Sequence, residues 1–313
     1  MKIYISPMAG YTDYSYRKIL KKFNPDLMFT EMVNAHLLNE NDKITENELL
    51  KCDDKINEGV QIFGKNKDEL VNAFLKAEKM GFKKLNLNMG CPQPKIVKKG
   101  AGSALLPKIG LIDSLLYELK EKLNEKTELS LKIRIGYGNF SFPELYVKMA
   151  DKYNLDFICV HGRRGEQLYQ GKSDWNTVSA LSRLPRKQDL DFIGNGDLFE
   201  LGQIVNLIKP CNLDGIMLSR GIIGNPWLIT RLKEFFKTGK IIPFPDLNTV
   251  KITVLEHMEY LTENKGETIA ALEINKFLKP YFKNLNIPDF LPKLNEIIRE
   301  KDINLKIKYI SNI

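Results

Sequence analysis

The sequence predicts a (β/α)8 barrel over residues 1–243 and a small helical domain over residues 244–313, and two patterns carry this prediction. Short β-rich runs alternate with amphipathic helical stretches throughout the first part of the chain. After Pro243 and Pro245 the patterns are helical only, and prolines so close together end a helix and mark a boundary. Eight strand-helix units in about 240 residues are typical of a barrel.

The individual elements follow from periodicity. Helical segments such as DELVNAFLKAEKM, IDSLLYELKEKL, ELYVKMADKY and LGQIVNLIK are apolar at steps of three and four residues. A doubly wound sheet is the competing fold, but the first strand lacks the glycine-rich turn of that fold and ends in PMAG. The tail predicts helices in TVKITVLEHMEYLTEN, TIAALEINKFLKPYFKN and LPKLNEIIREKD. The eight predicted strands start near Ile3, Leu27, Gly59, Lys84, Ser130, Asp156, Asp191 and Asp214.

Composition places the chain among soluble globular proteins. Of its 313 residues 43% are hydrophobic, and no apolar run approaches the roughly 20 residues that span a bilayer. The start MKIYISPM lacks a signal-peptide pattern, so we expect a cytoplasmic protein without a membrane partner. We also expect the protein to be a monomer. The four cysteines, Cys52, Cys91, Cys159 and Cys211, lie far apart without a C-x-x-C pair. This spacing argues against disulfides and structural zinc, and we expect no metal site.

The charge of the chain is uneven. The formal net charge is +8, whereas residues 244–313 carry ten basic and ten acidic side chains. The whole basic excess therefore lies in the predicted barrel. A basic excess is compatible with nucleic-acid binding but also with mere solubility, so it favours a polyanionic partner only together with other signals.

Residues 86–106, NLNMGCPQPKIVKKGAGSALL, place one cysteine where a strand meets a basic loop. Gly90 and Pro92 force an abrupt turn, which would hold the thiol of Cys91 at the carboxyl end of the strand and facing a pocket. Three lysines follow before any acidic residue, so we expect the group that meets Cys91 to carry phosphates. These lysines are Lys95, Lys98 and Lys99.

The carboxyl ends of barrel strands carry the chemistry in this fold, and here they form a polar ring. Lys132 and Arg134 follow strand alternation, which puts both cations on one face. Such a pair either forms ion pairs with barrel acids such as Glu31 or binds an anionic ligand, and the sequence leaves both open. The ring also includes Pro7, Met8, Ala9, Gln61, Asn88, His161, Arg163, Asn195, Gly196, Asp197, Ser219, Arg220 and Gly221.

The last two strand ends predict a phosphate site. Asn195-Gly196 and Arg220-Gly221 stand at corresponding strand ends, where loops of such barrels often bind phosphate with backbone amides. Glycines allow close approach of the backbone, and a helix starting near Pro226 would offer its positive end. Together with the basic ring, these loops favour a phosphorylated cofactor.

Eight motifs in order resemble the tRNA-dihydrouridine synthases, flavoenzymes that reduce the uracil ring in transfer RNA. They are PMAGYTD, VQIFG, NMGCP, GAGSALL, KIRIG, HGRRGEQLYQGKSDW, NGD and SRGIIGNPW, and they span most of residues 6–228. Weaker likeness continues in the helical tail. Arg164, Ser219, Asn275 and Phe277 depart from the residues that are usual in the family.

The resemblance implies a bound FMN across the barrel mouth, with NADPH as the reductant. Gln61 and Lys132 would bind the polar edge of the flavin, and His161 would lie near its ribityl-phosphate side. A cation near the carbonyl edge would stabilise the negative charge of the reduced ring. Pro7, Met8 and Ala9 would flank the ring, and Asn195, Gly196, Asp197, Ser219, Arg220 and Gly221 would complete the cofactor site.

The resemblance also assigns the substrate side. Asn88 and Arg134 would bind the uracil, and Cys91 would donate the proton to C5 while hydride reaches C6 from the other face. A free thiol has a pKa of roughly 8.5, so Cys91 would be protonated at neutral pH. The surface expected to contact tRNA comprises Lys95, Lys98, Lys99, Arg163, Tyr169 and Lys276.

Two alternatives stay open. A related flavin barrel that acts on a free pyrimidine, such as a dihydroorotate or dihydropyrimidine dehydrogenase, would explain the ring and the cysteine but not the loop lysines and the tail. A tRNA-binding protein without turnover should lack at least one of Cys91, Lys132 and Asn88, and all three are present.

Overall fold

A computed structural model describes residues 1–285, 287 and 290–313. The chain forms two compact units, each built from two segments. The first comprises Met1–Gly10 and Asp26–Ser219, and the second comprises Tyr11–Pro25 and Arg220–Ile313. The expected division into domains at residue 243 stays a prediction.

The first unit is a closed barrel of parallel strands with alternating helices, which confirms the predicted fold. The strands follow one another in the order β2-β1-β9-β8-β7-β6-β5-β4-β3, and pairing of β2 with β4 closes the barrel. They are β1 (Lys2–Ile5), β2 (Leu27–Phe29), β3 (Val33–Asn34), β4 (Glu58–Phe63), β5 (Lys84–Met89), β6 (Glu128–Gly136), β7 (Phe157–Arg164), β8 (Asp191–Asn195) and β9 (Gly215–Leu218).

All eight predicted strands are present, and each starts within two residues of its predicted position. One barrel position holds two short strands, because β2 and β3 both pair with β4 in succession. The interruption between them includes Glu31, whose carboxylate accepts a hydrogen bond from the backbone N–H of Gly10. Inside the barrel, the buried side chains of Tyr4, Phe29, Cys159 and Met217 pack together.

The helices in the described part of the chain are α1 (Tyr14–Lys21), α2 (Ala35–Asn39), α3 (Lys67–Lys79), α4 (Pro94–Val97), α5 (Ile109–Lys122), α6 (Glu144–Lys152), α7 (Trp175–Ser182), α8 (Leu201–Ile208), α9 (Trp227–Thr238), α10 (Leu247–Lys265), α11 (Glu267–Glu273), α12 (Asn275–Phe282), α13 (Phe290–Arg299) and α14 (Ile303–Ser311). Short turns of 3-10 helix cover Gly102–Leu105, Gly165–Gln167 and Arg220–Ile222, and a π-helical turn covers Thr45–Leu49. None of these helices is both long and apolar enough to cross a membrane.

The second unit contains α1 as well as α9 to α14, although α1 precedes them by two hundred residues in the chain. Asp13 caps α1 by accepting from the N–H of Tyr16, and its carboxylate also lies 2.6 Å from the ammonium of Lys265 in α10. The hydroxyl of Ser15 donates to the carbonyl of Tyr260 at 3.0 Å. These contacts make the connection after the first strand part of the helical unit.

The tail differs from its prediction in two places. The single helix predicted over residues 268–284 is divided into α11 and α12 at Ile274. The sequence did not predict α14, whose Lys306 is fully buried. Its ammonium donates to the amide oxygen of Asn275 at 2.6 Å and to the carbonyls of Ile297 and Ile298 at 2.6 and 3.2 Å, so it joins α12, α13 and α14.

Candidate active site at the carboxyl ends of the strands

The barrel brings most of the predicted site residues together. Strand register places Asn88 beside Lys132, Arg134 beside His161, and His161 beside Asn195. Every predicted member of the ring from Pro7 to Ser219 belongs to the first unit, whereas Arg220 and Gly221 belong to the second. Pro7 is buried, Met8 is half-buried and Ala9 is exposed directly after β1.

A chain of buried amides runs through β4 and β5. The Gln61 amide donates to the Asn86 side-chain oxygen at 2.8 Å and accepts from the Asn88 amide. Asn86 in turn donates to the hydroxyl of Ser130 at 2.8 Å. All four side chains are at most 3% exposed, so this network fixes their orientation in the barrel interior.

Cys91 lies in a tight turn directly after β5. The side-chain oxygen of Asn88 accepts from the N–H groups of Gly90 and Cys91 at 3.0 and 2.8 Å, and the carbonyl of Cys91 accepts from the N–H of Ser103 at 3.0 Å. Cys91 is 7% exposed, and burial raises the pKa of its thiol while the nearby cations of Lys132 and Arg134 partly oppose that shift. At neutral pH the thiol therefore carries its proton.

Lys132 is a buried cation without a carboxylate partner among the described residues. Its ammonium donates to the side-chain oxygen of Asn195 at 3.2 Å, and burial lowers the pKa of Lys132. The acid that the sequence offered as an alternative partner, Glu31, bonds the backbone of Gly10 instead. A buried ammonium with one long hydrogen bond is suited to an electron-rich ligand group.

Arg134 contacts backbone on two sides of the ring. Its Nε donates to the carbonyl of Gly90 at 2.9 Å, and its two terminal nitrogens donate to the carbonyls of Arg164 and Leu168 at 2.7 and 2.9 Å. The side chain is 1% exposed. Its contacts thus tie the turn at Gly90 to the end of β7 and to the loop that follows this strand.

Arg163, which was expected on the RNA-facing surface, is buried at 2% exposure. Its guanidinium forms a two-pronged ion pair with Asp197, at 2.8 and 2.7 Å, and also donates to the carbonyls of Gln170 and Gly171 at 3.2 and 2.7 Å. The predicted RNA contact of Arg163 and the predicted cofactor contact of Asp197 stay predictions. In this structure each is the other's partner.

The turn after β8 packs tightly around Gly196. Its φ of +119° is unfavourable for other residues, and a Cβ there would lie 2.2 Å from the hydroxyl oxygen of Ser173 and 2.7 Å from the His161 ring. The buried hydroxyl of Ser173 has no hydrogen-bond partner among the described residues. The indole N–H of Trp175 donates to the Gly196 carbonyl at 2.9 Å and holds the turn.

The predicted surface residues divide into two groups. Lys95, Lys98 and Lys99 are exposed on and after α4, and Tyr169 is 48% exposed in the loop after β7. Lys276, in the second unit, is half-buried and forms an ion pair with Glu273. The described residues contain no cluster of side chains that could hold a metal ion.

Sequence reasoning missed Asn86, Ser130, Ser173 and Trp175. For the first two a signal was available, because Asn86 and Asn88, and likewise Ser130 and Lys132, are polar at period two in strands of otherwise apolar residues. The other two lie in a loop and a helix start, where no periodicity marks a site residue.

The raised pKa of Cys91 predicts how the thiol responds to pH. Because only the thiolate reacts with iodoacetamide, alkylation of Cys91 should be slow at neutral pH and reach half its maximal rate at a higher pH than a free cysteine. Site-resolved mass spectrometry of the alkylated peptide measures this rate against glutathione in the same tube. Half-maximal reaction at or below the pH of glutathione would contradict the burial argument.

Comparison with known proteins points to one family. A model of the family described as "Dihydrouridine synthase (Dus)" matches residues 4–312. The chain is 30% identical over 302 residues to a "Probable tRNA-dihydrouridine synthase" of Rickettsia bellii, covering 94% of this chain and 89% of that relative. It is 26% identical over 317 residues to "tRNA-dihydrouridine synthase B" of Pasteurella multocida, covering 100% and 93%.

Among solved structures, the chain is similar to histamine dehydrogenase from a Rhizobium species, with a TM-score of 0.53 and 13% identity over 83% of this chain and 49% of that one. At this identity the likeness supports the barrel fold and nothing further. The family model matches nearly the whole length of the chain, and the match to the Rickettsia bellii relative covers most of both chains. The chain therefore belongs to the dihydrouridine synthase family.

Proposed function

We propose that this protein reduces the C5–C6 double bond of uridines in tRNA, using FMN reduced by NADPH, with Cys91 as the proton donor. The observation that carries the proposal is the placement of a buried thiol in the same strand-end ring as a buried lysine. Cys91 follows β5, and Lys132 lies on the adjacent strand β6. The names of the relatives supply the substrate class.

The residues of the strand-end ring fit a flavin that carries a phosphate in two respects. Lys132 is a buried cation bonded to one amide oxygen, and the Ser173 hydroxyl beside the glycine turn is buried without a partner among the described residues. Both are donors suited to an electron-rich, phosphate-bearing ligand. In the first unit we propose that FMN is held by Pro7, Met8, Ala9, Gln61, Lys132, His161, Asn195, Gly196, Asp197 and Ser219. The roles of Arg220 and Gly221 stay predictions.

The protein's own groups supply the remainder of the chemistry. Bound FMN, once reduced, supplies a hydride. Lys132 places a positive charge among the buried strand-end residues, where a negative charge on the bound flavin would otherwise be poorly solvated. Cys91 gives its Sγ proton to C5 of the uracil, so that one hydride and one proton account for the two added hydrogens. The thiolate left on Cys91 recovers a proton from solvent.

The exposed lysines bind the phosphate backbone of the RNA. A base in folded RNA must be turned out of its stack before it can enter a barrel, which requires contacts to the surrounding backbone. Lys95, Lys98 and Lys99 lie at the same barrel end as Cys91, because they follow β5. Tyr169 is exposed enough to stack on a base, and Lys276 is a candidate contact in the second unit.

Replacing Lys95, Lys98 and Lys99 together by alanine should weaken tRNA binding and flatten its salt dependence. Each neutralised phosphate contributes roughly one unit or slightly less to the log-log slope. A matched control replaces the exposed Lys120, Lys122 and Lys126, which precede β6 and so lie at the other barrel end. Filter binding over a salt series measures both. Equal slopes for the two triple variants would place the RNA elsewhere.

The proposal as a whole is tested by substrate choice. The purified protein should be yellow and release FMN on denaturation, or be reconstituted with it. After anaerobic reduction by NADPH, unmodified tRNA should reoxidise the flavin, whereas free uridine and orotate should not. Faster reoxidation of the flavin by orotate than by tRNA would favour a free-pyrimidine reductase. If none of the three compounds reoxidised the flavin, the result would indicate a tRNA-binding protein without turnover.

A further inference from the structure

We propose that the tRNA backbone also binds a basic patch beside the lysine loop, formed by Lys65, Lys99 and Lys108, which we call the basic flank. The inference rests on the proposed function for its partner, and it assigns phosphates of that tRNA to Lys65 and Lys108, two residues outside the expected RNA surface. All three lysines belong to the first unit. Lys65 follows β4 and Lys108 lies between β5 and α5, so both are at the barrel end that carries Cys91.

The three lysines of the basic flank come from separate segments and meet at Gly100. A Cβ built on Gly100 would lie 3.4 Å from the ammonium nitrogen of Lys108 and 3.9 Å from the Cβ of Lys65. Lys99 directly precedes Gly100 in the chain. The connection after β4, the end of the lysine loop and the start of α5 thus bring one cation each to the same part of the surface.

The backbone beneath the basic flank is held in a tight turn. The N–H groups of Lys99 and Gly100 donate to the carbonyls of Ile96 and Val97 at 3.1 and 2.8 Å, and Gly100 has a φ of +81°, which favours glycine. The ammonium of Lys67 pairs with the Glu118 carboxylate at 2.8 Å and links α3 to α5. The surface is therefore largely formed before RNA binds, which reduces the ordering cost of binding.

No carboxylate in the described part of the chain pairs with the ammonium groups of the basic flank, and all three lysines are exposed. The sequence contains no acidic residue between Glu78 and Asp113. In α5, the carboxylates of Asp113 and Glu118 lie within 2.8 Å of other lysines. Neighbouring cations without counter-ions raise the local positive potential, and this favours a polyanion such as an RNA backbone.

Lys108 occupies a position where a lysine does not help the fold. It stands at the N-cap of α5, and its side chain caps no backbone N–H. At the N-cap of α3, by contrast, Asn66 accepts from the N–H groups of Asp68 and Glu69. A cation at the positive end of a helix is unfavourable, whereas an aspartate or asparagine there is stabilising. The same cation is favourable for a phosphate, so Lys108 serves binding at the expense of stability.

The first test measures the salt dependence of tRNA binding by a double variant, Lys65→Ala with Lys108→Ala. The matched control is Lys79→Ala with Lys126→Ala, because these exposed lysines precede β5 and β6 and so lie at the other barrel end. Filter binding over a salt series should give the first variant a log-log slope that is less steep by about 1.5 units, since two phosphate contacts are lost. The control should keep the slope of the unaltered protein.

The second test reverses the charge at the helix start. Lys108→Asp should raise the midpoint of thermal unfolding by about 1–3 °C, because it supplies the missing cap and a favourable charge. The same variant should bind tRNA more weakly than Lys108→Ala does. Lys126→Asp is the control, which makes the same charge change at the other barrel end and should leave tRNA binding unchanged. Circular dichroism measures unfolding, and filter binding measures affinity.

Two results would overturn the inference. One is a salt slope of the Lys65 and Lys108 double variant equal to that of its control. The other is a Lys108→Asp variant that binds tRNA as well as the unaltered protein, or that unfolds at a lower temperature. Failure of the proposed function is distinguishable from both, because it would appear as tRNA that is bound with the expected slopes but gains no hydrogens.

Discussion

Replacing Cys91 by alanine is expected to slow the tRNA-dependent oxidation of the reduced flavin by about 100- to 10,000-fold, the usual effect of removing a positioned acid. Folding, flavin content and reduction by NADPH should be unchanged. The thiol is small and lies in a turn whose backbone is held by Asn88 and Ser103, so its loss leaves those bonds intact. Stopped-flow absorbance of the flavin separates the two half-reactions.

Two controls sharpen that measurement. Cys211→Ala removes a half-buried thiol outside the strand-end ring. The reduced flavin of this variant should be oxidised by tRNA at the normal rate. Cys91→Ser keeps the shape but has a much weaker acid, so it should be nearly as slow as Cys91→Ala. Wild-type oxidation by Cys91→Ala would identify another group as the donor.

Replacing Arg163 by methionine is expected to lower the free energy of unfolding by about 3–5 kcal/mol, because the largely enclosed Asp197 carboxylate loses the guanidinium that pairs with it. The pair is bidentate, and its side chains are 2% and 16% exposed. The same guanidinium also satisfies two loop carbonyls, which would lose their donors in Arg163→Met. Urea unfolding followed by circular dichroism measures the change.

A surface ion pair supplies the matched control. Lys152 and Asp113 lie 2.8 Å apart with side chains 58% and 40% exposed, so Lys152→Met should change the unfolding free energy by less than about 1 kcal/mol. Equal effects for the two variants would show that the Arg163 pair contributes no more than a solvated pair.

The barrel was predictable because each strand repeats the same local pattern. Apolar runs bounded by turns mark the strands, and the strand starts follow from them within two residues. Helical periodicity did not predict α14. Its buried positions Ile303, Lys306 and Ile310 share one face of the helix, but the lysine interrupts the apolar stripe. The Lys306 ammonium is satisfied by oxygen atoms of α12 and α13, and the periodicity of α14 alone does not reveal those partners.

The site was predictable in its residue types and positions but not in its partners. Strand alternation and strand ends indicate that Asn88, Arg134 and Asp197 lie in the ring. Whether each bonds a ligand or the protein depends on distances between strands. Arg163 and Asp197 are 34 positions apart in sequence and meet only because β7 and β8 are neighbours. The sequence therefore assigned to ligands several groups that the structure shows bonded to one another.

The most direct test of the account is the mass of the product. Unmodified tRNA is incubated with the protein, FMN and NADPH, digested to nucleosides, and analysed by liquid chromatography and mass spectrometry beside a Cys91→Ala reaction. We expect a uridine that is heavier by two hydrogens with the unaltered protein and almost none with Cys91→Ala. Uridine of unchanged mass in the presence of fully reduced flavin would contradict it.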